Sequence, residues 1–252
     1  MPYTYGPESA DGVGSEVAAR WAASHPWWSG RKLGQILHQE ADWPALAIGK
    51  KYGIAGAGTP AIARDTDRFF GGAASAALTT SAGATDTCEC RLRMARANGG
   101  LIAFEQRFVP DVTVAGAHFE FGVRANRSVT CRGTMRYVVN GAGGSGQWYY
   151  EETSGVFVAI SGALSPEPGL NPSIGDLWGW ARLLIDAERR RYVSFEAHSE
   201  GEAPILHIFP QTPLVTPAGA STGSLETFAR FRNASAAART SYTTDWLTTV
   251  LE

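Results

Sequence analysis

From residue 76 onward the chain is written in short stretches in which hydrophobic and polar residues take turns. "AHFEFGVR" (117–124) sets Phe119, Phe121 and Val123 against His118, Glu120 and Arg124. "LIAFEQRF" (101–108) sets Ile102, Phe104, Gln106 and Phe108 against Leu101, Ala103, Glu105 and Arg107, and in 128–139 Cys131, Met135 and Tyr137 oppose Arg132, Thr134 and Arg136. A repeat of two is that of an extended strand, whose side chains point alternately to opposite faces. The pattern predicts strands over 76–81, 88–94, 101–108, 117–125, 128–139, 146–151, 155–161, 178–187, 190–198, 203–209, 225–233 and 243–251, separated by Gly, Pro, Asn and Asp clusters. Many short strands with no helix between them predict an all-β fold of two packed antiparallel sheets.

Other stretches break the alternation. "GSEVAARWAASHPWW" has helical spacing from Ser15 to about Ala23, with Val17 and Trp21 on one stripe, and ends before Pro26. Residues 1–40 are therefore expected to form a short helix or arm packed on the domain, and residues 41–252 the β-sandwich, one structural domain overall. "YGIAGAGTPAIARDT" (52–66), rich in Gly and Ala, is expected to be irregular. The segment 161–177 holds three prolines and reads as a long surface loop, and "GAGGSG" (141–146) as a hairpin tip.

Composition narrows the functional classes. With 252 residues, 44% of them hydrophobic, the chain can bury a full core as one domain. A formal charge of −2 lacks the basic footprint of a duplex nucleic-acid binder. No basic start precedes an apolar run, and no apolar stretch approaches the length of a spanning helix, so neither export nor membrane insertion is expected and a cytoplasmic address follows. Cys88, Cys90 and Cys131 are odd in number and read as buried reduced thiols. No C-x-x-C or H-E-x-x-H motif occurs, which argues against a cysteine or histidine metal site.

Three stretches in order, "FFGGAASAALTTSA", "WARLLIDAERRRYVSFEAH" and "YTTDWLTTVLE", resemble the concanavalin A-like, laminin-G-like jelly roll. The matching positions are Gly71, Gly72 and Ser75, then Trp180, Asp186, Tyr192, Val193 and Ser194, then Asp245 and Trp246. The resemblance covers roughly residues 70 to 252 and is similar to that of uncharacterised bacterial proteins often labelled glycosyl hydrolases. It implies a fold, a concave sheet that binds sugars, and room for a structural calcium ion; no other cofactor is implied. The E-x-D-x-x-E strand of the laminarinase and lichenase branch is missing, so that branch's catalytic residues do not carry over.

Taken as one meander, the strands at 101–108, 117–125, 128–139 and 146–151 would join Glu105, Arg107, His118, Glu120, Arg124, Arg132 and Arg136 into a continuous polar face. Trp148, Tyr149 or Tyr150 would serve as a stacking platform and Trp178 would stand at the rim. Glu105 and Glu120 are the acid/base pair such a face offers for glycoside hydrolysis, which needs two carboxylates about 5 to 9.5 Å apart. His118 is a general base for a lyase reaction instead. Asp186 and Asp245 read as structural, the first at a tight turn.

The sequence thus describes a carbohydrate-binding jelly roll with an oligosaccharide or glycoside as ligand, and glycoside hydrolysis as the chemistry its carboxylates would support. The alternative is a structural or assembly protein, such as a phage tail or capsid-associated jelly roll, forming homo-oligomers through the N-terminal arm.

Overall fold

The computed structural model describes residues 35–40, 52–68, 74–94, 100–111, 113–126, 130–141, 146–164, 168–169, 177–199, 204–217 and 224–251. These carry strands and turns and no helix. The helix expected at 15–23 lies outside the described residues, as do most of the 161–177 loop and the hairpin tip 142–145.

The strands are β1 (Gln35–Glu40), β2 (Tyr52–Ala55), β3 (Ala61–Asp65), β4 (Ser75–Thr79), β5 (Thr87–Met94), β6 (Leu101–Val109), β7 (His118–Asn126), β8 (Thr130–Val138), β9 (Gly146–Thr153), β10 (Val156–Leu164), β11 (Gly179–Asp186), β12 (Arg191–Ser199), β13 (Ile205–Ile208), β14 (Leu225–Arg232) and β15 (Thr240–Leu251). They form two antiparallel sheets. The first runs β13-β12-β11-β6-β15-β4-β3, with β1 also paired to β15; the second runs β10-β9-β8-β7-β14-β5-β2. All twelve strands read from the alternation are present. Three more were not read. Gln35–Glu40, assigned to the arm, is a strand on β15, and β2 and β3 occupy the stretch expected to be irregular. These two are short and partly exposed, and they form by extending the edges of β5 and β4.

The core lies between the sheets and is aromatic. Phe104 and Phe108 of β6 face Phe119 and Phe121 of β7, and Trp148, Tyr137, Phe195 and Trp246 close around them. All eight are fully buried. Each contributes about 1.5–3 kcal/mol by leaving water, plus favourable edge-to-face geometry. Cys88, Cys90 and Cys131 are free thiols in this core, and burial pushes the Cys88 thiol up to about 12.

Two local devices tune the packing. In β15 the pairing with β6 slips between Thr244 and Leu247, and Asp245 takes a φ of 54° there. This bulge turns Trp246 inward, where its indole N–H donates to Thr243 Oγ1 at 2.8 Å, and leaves Asp245 beside Arg107 at 3.2 Å. Across the core, Tyr192 of β12 places its hydroxyl between β8 and β9, accepting from the Thr134 amide at 3.0 Å and donating to the Glu151 carbonyl at 2.9 Å. The ladder between those strands ends one residue pair earlier, at Met135 and Tyr150.

Candidate functional site

β6 departs from the meander the sequence suggested. It lies between β11 and β15, whereas β7, β8 and β9 are neighbours in the opposite sheet. Glu105 and Arg107 are therefore separated from His118, Glu120, Arg124, Arg132 and Arg136 by the whole core. On the outward side of its own sheet, Glu105 is 3.2 Å from Arg182, and both it and Arg107 are buried.

The polar face of the second sheet is larger than expected, because β14 and β5 follow β7. In "CECRLRM" the inward Cys88, Cys90 and Leu92 leave Glu89, Arg91 and Arg93 outside; in "LETFARFR" the inward Leu225, Thr227, Ala229 and Phe231 leave Glu226, Phe228, Arg230 and Arg232 outside. The alternation carried this signal, but nothing in it says which strands are neighbours.

Register sets these residues in rows across the strands. One row reads Glu89, Arg230, Glu120, Arg136, Tyr149; another reads Arg93, Glu226, Arg124, Arg132; the row between them is Arg91, Phe228, Gly122, Thr134. Directly opposed charges of unlike sign stabilise an antiparallel pair. Here they form a lattice in which glutamates lie underneath and arginines reach outward. Glu120, 1% exposed, is clamped on both sides, by Arg136 Nε at 2.8 Å and by Arg230 Nε at 2.7 Å. Arg124 makes a two-point contact with Glu89 at 3.1 and 3.0 Å and also bonds Glu226. Arg132 bonds Glu151 at 2.9 Å. Two guanidinium groups are also stacked, Arg124 on Phe228 at 4.0 Å and Arg136 on Phe157 at 3.4 Å.

Burial pushes the Glu120 carboxyl up, but Arg230, Arg136 and His118 outweigh it and hold the group below the usual carboxylate range. It has no proton to donate at neutral pH. His118 is the converse case. Burial, with Arg136 and Arg232 nearby, lowers it to about 4 against the pull of Glu120 and the Gly116 carbonyl, so it is neutral. Its Nδ1 lies 3.3 Å from that carbonyl, and its buried Nε2 lies 3.5 Å from Glu120 without a hydrogen bond.

At the β2 edge the face sinks into an open depression of about 600 Å³, bordered by Ala55–Ala57, Thr87, Arg91, Arg93, Arg124 and Arg230, with the buried carboxylates of Glu89 and Glu226 also in its lining.

The comparisons with known proteins concern this two-sheet frame. Among solved structures the chain is similar to an endo-β-1,4-glucuronan lyase from the fungus Trichoderma reesei, with 10% identity, 85% of this chain and 95% of that one covered, and a TM-score of 0.53. It is also similar to a protein of unknown function with a galectin-like fold from Bacillus subtilis, with 10% identity, 87% and 97% covered, and a TM-score of 0.50. The frame they share is a two-sheet antiparallel β-sandwich of jelly-roll type. No protein-family model and no curated protein matches the sequence. At such identities the likeness is one of fold.

Within the jelly roll, the aromatic platform read from the sequence is corrected. Trp148 is fully buried between the sheets, because its position in β9 points inward opposite Tyr137. Tyr150 also points inward, with Tyr192 and Phe209 edge-on at 5.8 and 5.1 Å. Trp178 packs with Val109, Ala77 and Tyr242 in a small cluster on the other sheet. Tyr149, one residue away from both, is the aromatic of β9 that shares the arginine face. Among the described residues no group of three or more His, Cys, Asp or Glu is gathered to hold a metal ion.

Proposed function

We propose that the arginine face of the β10-β9-β8-β7-β14-β5-β2 sheet binds an acidic polysaccharide. The observation that carries this reading is charge segregation. Arg91, Arg93, Arg124, Arg132, Arg136, Arg230 and Arg232 share the face with Glu89, Glu120, Glu151 and Glu226, seven against four, in a chain whose net charge is −2. Seven strands about 4.8 Å apart make a surface roughly 29 Å wide, room for several sugar rings. The likeness to a glucuronan lyase agrees with a polymer of acidic sugars.

Hydrolysis by paired glutamates finds no support on this face. Glu105 is on the other sheet, and the four glutamates present are each engaged by arginine. β-Elimination from a uronate finds no better support there: His118 is neutral, but its Nε2 is buried beside Glu120 at 3.5 Å, out of a substrate's reach.

The test is calorimetric titration with polyglucuronate, alginate and a neutral glucan at low and high salt, alongside the ultraviolet absorbance of unsaturated product. Binding of the acidic polymers alone, weakened by salt, is the expected result. Equal binding of the neutral glucan, or none of any polymer, would sink the proposal. Unsaturated product made by the native chain would show elimination in place of simple binding.

A further inference from the structure

The positive charge of the face is unevenly available. Arg124, Arg132, Arg136 and Arg230 each hold a glutamate at hydrogen-bond distance. Recruiting any of them to a ligand would take a hydrogen-bonded counter-charge from a buried carboxylate, so their attraction for an anion is largely spent inside the protein. Arg91 and Arg93 are different. Their closest approaches to Glu89 and Glu226 are 3.5 and 3.7 Å, beyond a good hydrogen bond, and their side chains are 36% and 64% exposed against 18% to 30% for the other ion-paired guanidiniums of the face. Both can turn to an incoming anion without leaving a glutamate bare.

Their position gives that freedom a shape. They stand two residues apart on one side of β5, beside edge strand β2, where Gly53 pairs with Arg91 and Ala55 with Glu89. Small residues on β2 and just after it leave open the depression of about 600 Å³, which lies within the range of about 300–1,000 Å³ usual for small-molecule pockets. Guanidinium groups match the paired oxygens of carboxylates and sulfates.

We infer that this depression is the subsite that takes the anionic group of one sugar ring, a carboxylate or a sulfate ester, with Arg91 and Arg93 as its ligands. It rests on the acidic-polysaccharide reading of the same face and says where on that face acid is told from neutral sugar.

The experiment titrates the native chain, Arg91→Ala/Arg93→Ala and Ala57→Trp with an oligoglucuronate, its carboxyl-reduced counterpart and a sulfated oligosaccharide of equal length. The substituted side chains are partly or fully exposed, and unchanged thermal melting checks that the variants fold. The expected result is a tenfold or greater loss of affinity for the anionic ligands in the double variant with little change for the reduced one. Ala57→Trp, which fills the depression, should weaken all ligands. Whichever anionic ligand the native chain binds more tightly separates carboxylate from sulfate. A native preference for acid that survives in both variants would overturn the subsite and leave the wider reading standing; no native preference for acid would overturn both.

Discussion

β6 (LIAFEQRFV) and β7 (HFEFGVRAN) carry nearly the same alternation of apolar and charged residues, yet they lie in different sheets. Their aromatic sides meet in the core, Phe104 against Phe121 at 5.8 Å and Phe108 stacked on Phe119 at 5.1 Å. Their charged sides consequently point away from each other. On β6, Glu105 and Arg107 are 5% and 2% exposed, paired with Arg182 and Asp245 on a face that is nearly dry. On β7, Glu120 is just as buried, but the arginines over it reach water. Alternation along a strand decides which side chains face the core; the neighbouring strands decide whether the other side becomes a second interior or a working surface.

The largest way to break the comparison is to remove what the two strands share. Phe104→Ala and Phe121→Ala are each expected to destabilise the fold by about 3–5 kcal/mol, read from urea unfolding, with little difference between them. Only one large loss would show that the two strands do not support a common core.

Removing the carboxylates should separate the faces. Arg182, with its side chain 10% exposed, keeps only the more distant Glu196 at 3.8 Å in Glu105→Gln, at an expected loss of about 3 kcal/mol. Glu120→Gln leaves Arg136 and Arg230, which water reaches, and is expected to lose about 1–2 kcal/mol. Equal shifts in the denaturation midpoint would mean that the faces are equally dry.

The last effect concerns pH. His118 in the fold binds a proton only near 4, against 6.5 unfolded. Between those values the unfolded chain holds more protons, so stability falls as pH drops from about 6.5 toward 4 and the loss is complete below that, about 3 kcal/mol in all. His118→Gln should flatten that limb of a stability profile. An unchanged limb would assign it to another group.

Much of the fold was legible. Period-two alternation located twelve strands and the inward residues of β7 and β8, because a half-buried strand must repeat in that way. β2 and β3 escaped because "YGIA" and "AIARD" show no such pattern; their pairing with β5 and β4 makes them strands. The site was legible only in part. His118, Glu120, Arg124, Arg132 and Arg136 do share a face, but Arg91, Arg93, Glu226 and Arg230 join it through the β5-β14-β7 order, a long-range fact that local sequence does not carry. Trp148 was misplaced for a simpler reason: three aromatics in a row in "QWYY" fit either phase, and only pairing with Tyr137 fixes which of them point inward.

The tyrosine that crosses the core from β12 has a mechanical meaning. Two stacked sheets held by greasy contact alone can slide over one another like boards with oil between them. Tyr192 is a dowel through both: its ring is set in one board, and its hydroxyl is seated where two strands of the other begin to part. Directly above that seat are Arg132 and Glu151. Shear between the layers is blocked at that end, and a polymer drawn along the arginines would meet an anchored floor there.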